Sequence, residues 1–177
     1  FVSLRNALEP WREAETPLLA AVQSVSDIEG AALSLRQHWD LGLQPIESVT
    51  GAIEDSGGIV VELDDDEDLF DGLSGWADES TPIVAVSRAV TDDRRRFSLA
   101  HELGHLVMKI EAKLDEKTEE RWAHRFAAAF LVPAEVAKRE LGDRRRHLDF
   151  RELMLLKQKH GLSMSAWIFR ASDLGII

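Results

Sequence analysis

A chain of 177 residues, 45% of them hydrophobic and 30% charged, can bury one sizeable core and has the balance of an ordinary globular protein. Its formal charge of −11 argues against unaided nucleic-acid binding, because neutralising phosphates takes a concentrated basic surface, and the only basic clusters are the short runs at 94–96 and 144–146. Cysteine is absent, which excludes disulfides, thiolate metal sites and cysteine nucleophiles and leaves any metal to histidine and carboxylate. No apolar run approaches the ~20 residues of a membrane helix and the opening residues carry no secretion signal, so the expectation is a cytoplasmic protein with no membrane contact.

Residues 1–25, interrupted by Pro10 and Pro17, read as a linker or N-terminal helical extension. A single domain is expected over 26–177. Its first helix opens on a capping box of Ser26 and Glu29 and repeats Ile28, Ala31, Ala32, Leu35 and Trp39 at helical spacing. A short helix after Pro45 carries Ile46, Val49 and Ile53 and closes at Gly57 and Gly58. The Val/Ile-rich stretches 58–63 and 82–87 read as strands, with a weaker third at 73–78, giving a small, mostly antiparallel sheet. The acidic run 64–68 lacks the glycine and closing glutamate of a calcium loop and reads as a solvated turn.

The remainder is helical. Thr91 or Asp92 caps a helix expected to reach Ile110, and a second runs from Glu116 to Leu131, where Pro133 stops it. A short helix leads to Gly142. The tail, 148–177, holds two helices capped by Asp149 and Ser163 and ended by Gly161 and Gly175. The fold class is α+β, with the sheet packed on two central helices and the tail appended.

Chemistry enters at "HELGH", residues 101–105. Residues four apart stand one above the other on a helix, so His101 and His105 aim two imidazoles at one point. Glu102 projects about 100° round the axis, where it reaches a ligand of the metal rather than the metal itself. The pattern supplies two zinc ligands and a base for water, and with six histidines in the chain about 0.02 accidental matches are expected. The surrounding Phe97, Leu99, Ala100, Leu103, Leu106 and Val107 predict a buried helix, where unpaired imidazoles are costly. Gly104 costs the helix about 1 kcal/mol relative to alanine, which points to close packing or to space kept near the metal.

A catalytic zinc commonly takes three protein ligands. The third is sought among Glu111, Asp115, Glu116, Glu119, Glu120, His124, His147 and His160. On the 116–131 helix, Glu120, His124 and Ala127 share one face, while Trp122, Phe126 and Phe130 share another that must be buried. That favours Glu120 as ligand, with His124 as a partner of a ligand or a half-exposed helix histidine.

The stretch "RRRFSLAHELGHLVM", followed by "EERWAHRFAAAFLVP" and the tail "KHGLSMSAWIFRASDLGII", resembles the ImmA/IrrE metallo-endopeptidases, with similarity from about residue 32 to the end. The resemblance implies a zincin-like fold, a bound Zn2+, His101, His105 and Glu120 as its ligands and Glu102 as catalytic base. It also implies a protein substrate, namely a helix-turn-helix repressor or antitoxin. The sequence departs from that pattern at His124, where the family has Asn or Asp, and in having no tyrosine. His147 and His160 are the remaining candidates for an oxyanion donor. A homodimer is compatible with these readings. The competing ones are a zinc-containing transcription regulator or partner-binding module without proteolysis, and a scaffold that has lost its activity.

Overall fold

The structure is a computed structural model that describes residues 20–64, 71–77, 81–111 and 113–177. The described residues contain five strands and seven helices: β1 (Ala20–Val22), α1 (Val25–His38), α2 (Val49–Asp55), β2 (Ile59–Leu63), β3 (Gly72–Trp76), β4 (Pro82–Ser87), α3 (Asp92–Val107), β5 (Met108–Ile110), α4 (Glu116–Leu131), α5 (Ala134–Leu141), α6 (Phe150–His160) and α7 (Met164–Asp173). The α+β class follows from this order. Most of the segment read as an N-terminal linker, 1–19, and most of the acidic run, 65–68, lie outside the described residues.

Local signals set most boundaries. The Asp115 carboxylate accepts a hydrogen bond from the Thr118 amide at 2.8 Å and starts α4, which ends just before Pro133. Asp149 and Ser163 cap α6 and α7 in the same way. Two boundaries differ from expectation, the first for a local reason and the second for a tertiary one. The cap of α1 is Ser24 rather than Ser26: the Asp27 carboxylate accepts from the amides of Gln23 and Ser24 at 3.0 and 2.8 Å. Glu29, expected to close the box from Ser26, is taken instead by Arg170 at 2.6 Å and by the Ala134 amide at 2.7 Å. The zinc-motif helix α3 ends at Val107 rather than Ile110, because residues 108–110 pair in parallel with residues 20–22. Ala20, Ala21 and Val22 thus belong to the folded unit.

The sheet corrects an expectation. It is mixed, not mostly antiparallel: in the order β2-β4-β3, β2 runs parallel to β4 and only β3 runs antiparallel to it, and the separate β1–β5 pair is parallel too. β4 is the most buried strand and takes the middle, between β2 and β3. This places β3 at a sheet edge, packed along α3.

α3 and α4 pack face to face, with α1 on the other side of α4. Phe126 and Phe130 are buried, with rings stacked 6.0 Å apart, among Leu99, Leu103, Ile28 and Leu35. Within this core the buried Arg36 donates to the carbonyls of Gly42, Gln44 and Phe130 at 2.6–2.7 Å, tying the loop after α1 to the end of α4. Burial pulls its guanidinium down to about 10, still charged at neutral pH. No helix among the described residues is long and apolar enough to cross a membrane. Replacing Arg36 by Ala leaves three carbonyls without a donor and should cost about 3 to 5 kcal/mol of stability in urea denaturation. Arg36→Lys should recover only part of it, because one ammonium lacks the planar fork that reaches three acceptors.

Candidate metal centre

Helix α3 stacks the two motif histidines one turn apart, and their Nε2 atoms lie 3.1 Å from each other. Glu120, on the second turn of α4, closes the group: Oε2 is 3.1 Å from His101 Nε2 and Oε1 is 3.3 Å from His105 Nε2. A tetrahedral ion with ligand bonds of 2.0–2.1 Å separates its ligand atoms by about 3.3 Å, so the three side chains fit a small divalent metal. The site opens toward solvent on the α4 side, since the His101 side chain is 12% exposed and that of Glu120 48%.

Burial, reinforced by the neighbouring His124 and His105 and opposed by Glu120, lowers the pKa of His101 to about 4. Its imidazole is therefore neutral at pH 7, the form that donates a lone pair to a metal. The other ring nitrogen, Nδ1, is buried and has no hydrogen-bond partner among the described residues, where metal-binding histidines ordinarily donate to a carboxylate or carbonyl.

His124 sits beside the triangle. Its Nδ1–H donates to the backbone carbonyl of Glu120 at 2.7 Å, which fixes the tautomer and leaves the Nε2 lone pair free, and its ring lies 4.4 Å from that of His101. A ligand atom of His124 groups with those of His101 and Glu120 within 4.8 Å. The two sets of distances favour different trios. For the His101, His105 and Glu120 set the separations of 3.1–3.3 Å are close to a tetrahedral edge.

Glu102 is 8% exposed and faces β3. Its Oε2 accepts from the Ser74 hydroxyl at 2.6 Å. A side chain at Gly72 would bring a Cβ within 2.8 Å of Oε1, so this edge strand approaches the carboxylate as closely as glycine permits. Sequence reasoning missed Gly72 and Ser74. The available signal was two small residues, two apart, in the weakest of the three strands, where period 2 places them on one face. Gly104 is explained by packing: a Cβ there would lie 3.1 Å from the Phe126 ring.

The other candidate ligands are elsewhere. Glu111 accepts from the Gln23 side chain at 3.0 Å, Asp115 caps α4, and Glu116 and Glu119 stay outside the cavity. His160 is buried against Trp167, with Nε2 3.4 Å from Glu140, and neither it nor His147 lines the site. The cavity over the centre, about 540 Å³, is bounded by β3, α3 and α4 and includes Gly72, Ser74, His101, Glu102, His105 and Glu120.

Comparison with known proteins places this geometry in a family. No curated protein matches the sequence significantly. Among solved structures, a Mycobacterium tuberculosis transcriptional regulator superposes with a TM-score of 0.56 at 17% identity. The match covers 83% of this chain and 46% of that one, so this chain spans about half the neighbour's length. At that identity the likeness establishes the fold alone. The family model described as the IrrE N-terminal-like domain, Peptidase_M78, matches residues 54–172, a stretch that contains β3, α3 and α4. With more than half of its length matched, the chain belongs to the IrrE N-terminal-like domain family of M78 peptidases.

Proposed function

We propose that this protein is a zinc-dependent endopeptidase that hydrolyses a peptide bond in a regulatory protein, a helix-turn-helix repressor or antitoxin. The observation that carries the reading is the convergence of two imidazole Nε2 atoms, 3.1 Å apart, with one oxygen of the Glu120 carboxylate 3.1 Å from the first and the other 3.3 Å from the second, beside a buried glutamate held by a separate hydrogen bond. The family match supports peptidase chemistry, and a donor set of two imidazoles and one carboxylate suits zinc.

His101, His105 and Glu120 would hold the ion, which when bound supplies a Lewis acid that acidifies water and polarises a carbonyl. Glu102 is the base. Its carboxylate, oriented by the Ser74 hydroxyl, takes the proton from attacking water. The C–N bond then breaks, and Glu102 returns the proton to the departing amine. β3 lies at the edge of the sheet and its outer side has no strand partner among the described residues, so an extended substrate strand can add to the sheet there. The net charge of −11 fits a protein substrate rather than direct nucleic-acid binding.

The second reading is a regulator in which the metal only sustains a fold. What favours it is the description of the structural neighbour as a transcriptional regulator. Glu102→Gln separates the two: zinc content by elemental analysis should remain one per chain, while turnover of a denatured-protein mixture, read as chelator-sensitive new termini, should fall by about 10²–10⁴. Retained activity in the variant would eliminate the peptidase reading. Ser74→Ala should leave zinc content and KM unchanged and lower kcat about tenfold, because the base loses its orientation but not its charge. In metal-free protein, the His101 contribution to stability is full above pH 6.5 and is lost as pH falls toward 4, since over that window the unfolded imidazole binds a proton and the native one does not. Urea denaturation across that range, wild type against His101→Gln, reads this contribution directly.

A further inference from the structure

We propose that a second, apolar groove adjoining the metal centre is the specificity site of the same enzyme, and that it takes a bulky apolar side chain of the substrate with an acidic residue close beside it. This inference rests on the endopeptidase reading and names its substrate class.

The groove encloses about 1070 Å³, twice the volume of the cavity over the metal centre. Three residues, Arg94, Phe97 and His124, line both spaces, so the groove adjoins the centre. The His124 ring stands at the junction, 4.4 Å from His101 on one side and 5.7 Å from Phe97 on the other. A side chain seated in the groove can therefore belong to the same peptide as a bond presented at the centre.

Its surface is apolar where a side chain would enter. Phe97, Trp122, Ala128 and Ala166 line it, and Phe169 of α7 stands at its wall 73% exposed. A phenylalanine left in water beside a cavity of this size marks a surface built to be covered. The tail helix thus supplies a wall of the groove in addition to the walls from α3 and α4.

Charge specifies the neighbour. In a chain with a net charge of −11, three arginines line this groove. Arg94 is paired with Asp71 at 2.6 Å and Arg125 with Asp173 at 3.5 Å, and the lining carboxylate of Asp93 is taken by Lys157 at 2.8 Å. Arg121 meets only the Thr118 hydroxyl, at 3.0 Å, and has no carboxylate partner among the described residues. An unpaired guanidinium beside an apolar slot selects an acidic residue near the apolar one and repels a basic residue.

The test uses zinc-loaded Glu102→Gln protein, which binds without cutting, and the amidated peptide acetyl-Ala-Glu-Phe-Leu-Ala-Ala with analogues carrying Ser for its Phe or Lys for its Glu. Calorimetric titration should show the Ser analogue at least about tenfold weaker than the parent, and Phe169→Ser in the protein should weaken the parent to a similar extent. Arg121→Glu should reverse the order of the Glu and Lys peptides. Both positions are exposed, and circular dichroism should confirm unchanged folding. Failure of the parent peptide to bind, or equal affinities across the analogues and variants, would overturn the groove assignment. Chelator-sensitive cleavage by wild type, measured separately on denatured protein, reports on the endopeptidase reading alone. A protein that cuts without these preferences refutes the groove and not the enzyme.

Discussion

The close approach of α3 to α4 is the constraint on which the site depends. The two imidazoles come from one helix and their spacing is intrinsic to it, but the carboxylate arrives from another and must be brought within 3.3 Å. Gly104 makes this possible by letting the Phe126 ring lie against the helix backbone, at a distance where even a methyl group would touch it. Phe126 in turn is anchored by its stack on Phe130 in the buried core. The energy that assembles the centre is therefore mostly apolar burial, and the polar residues occupy positions that burial has already fixed.

The edge strand β3 plays a comparable part for Glu102. A buried carboxylate needs a donor, and Ser74 supplies it from a strand that glycine at position 72 allows to come close. The same strand lies at the edge of the sheet and has no second strand partner among the described residues, so the element that holds the Glu102 carboxylate is also the one proposed above to receive a substrate backbone. The mixed topology matters here: with β4 in the middle, the edge facing α3 is β3 and not β2.

The C-terminal helices are tied into the domain by an ion pair that sequence patterns did not disclose. Arg170 of α7 joins Glu29 of α1 at 2.6 Å and donates to the Val132 carbonyl at 2.9 Å, while Glu29 also accepts from the first residue of α5. Three elements distant in sequence meet at one buried guanidinium. That junction holds α7 where Phe169 reaches the groove beside the candidate metal centre, which links the tail to the recognition surface proposed above.

The sequence by itself determined most of the helices, the α+β class and the stacking of His101 on His105, because these rest on periodicity, caps and spacing along one chain or one helix face; it also pointed to Glu120, which the fold brings beside both imidazoles. Where the spacing was local, as in α4 from Glu116 to Leu131, the boundary agrees to the residue. Tertiary structure alone decided the early end of α3 at Val107, the parallel β2–β4 pair and the contact of Ser74 with Glu102. Each of these is settled by a partner tens of residues away: β1 takes residues 108–110, β4 takes β2, and α3 meets the edge strand, whereas the cap at Ser24 is local and made by Asp27. Local preference amounts to a few tenths of a kcal/mol per residue up to about one for a cap, and a buried ion pair or a strand ladder outweighs it.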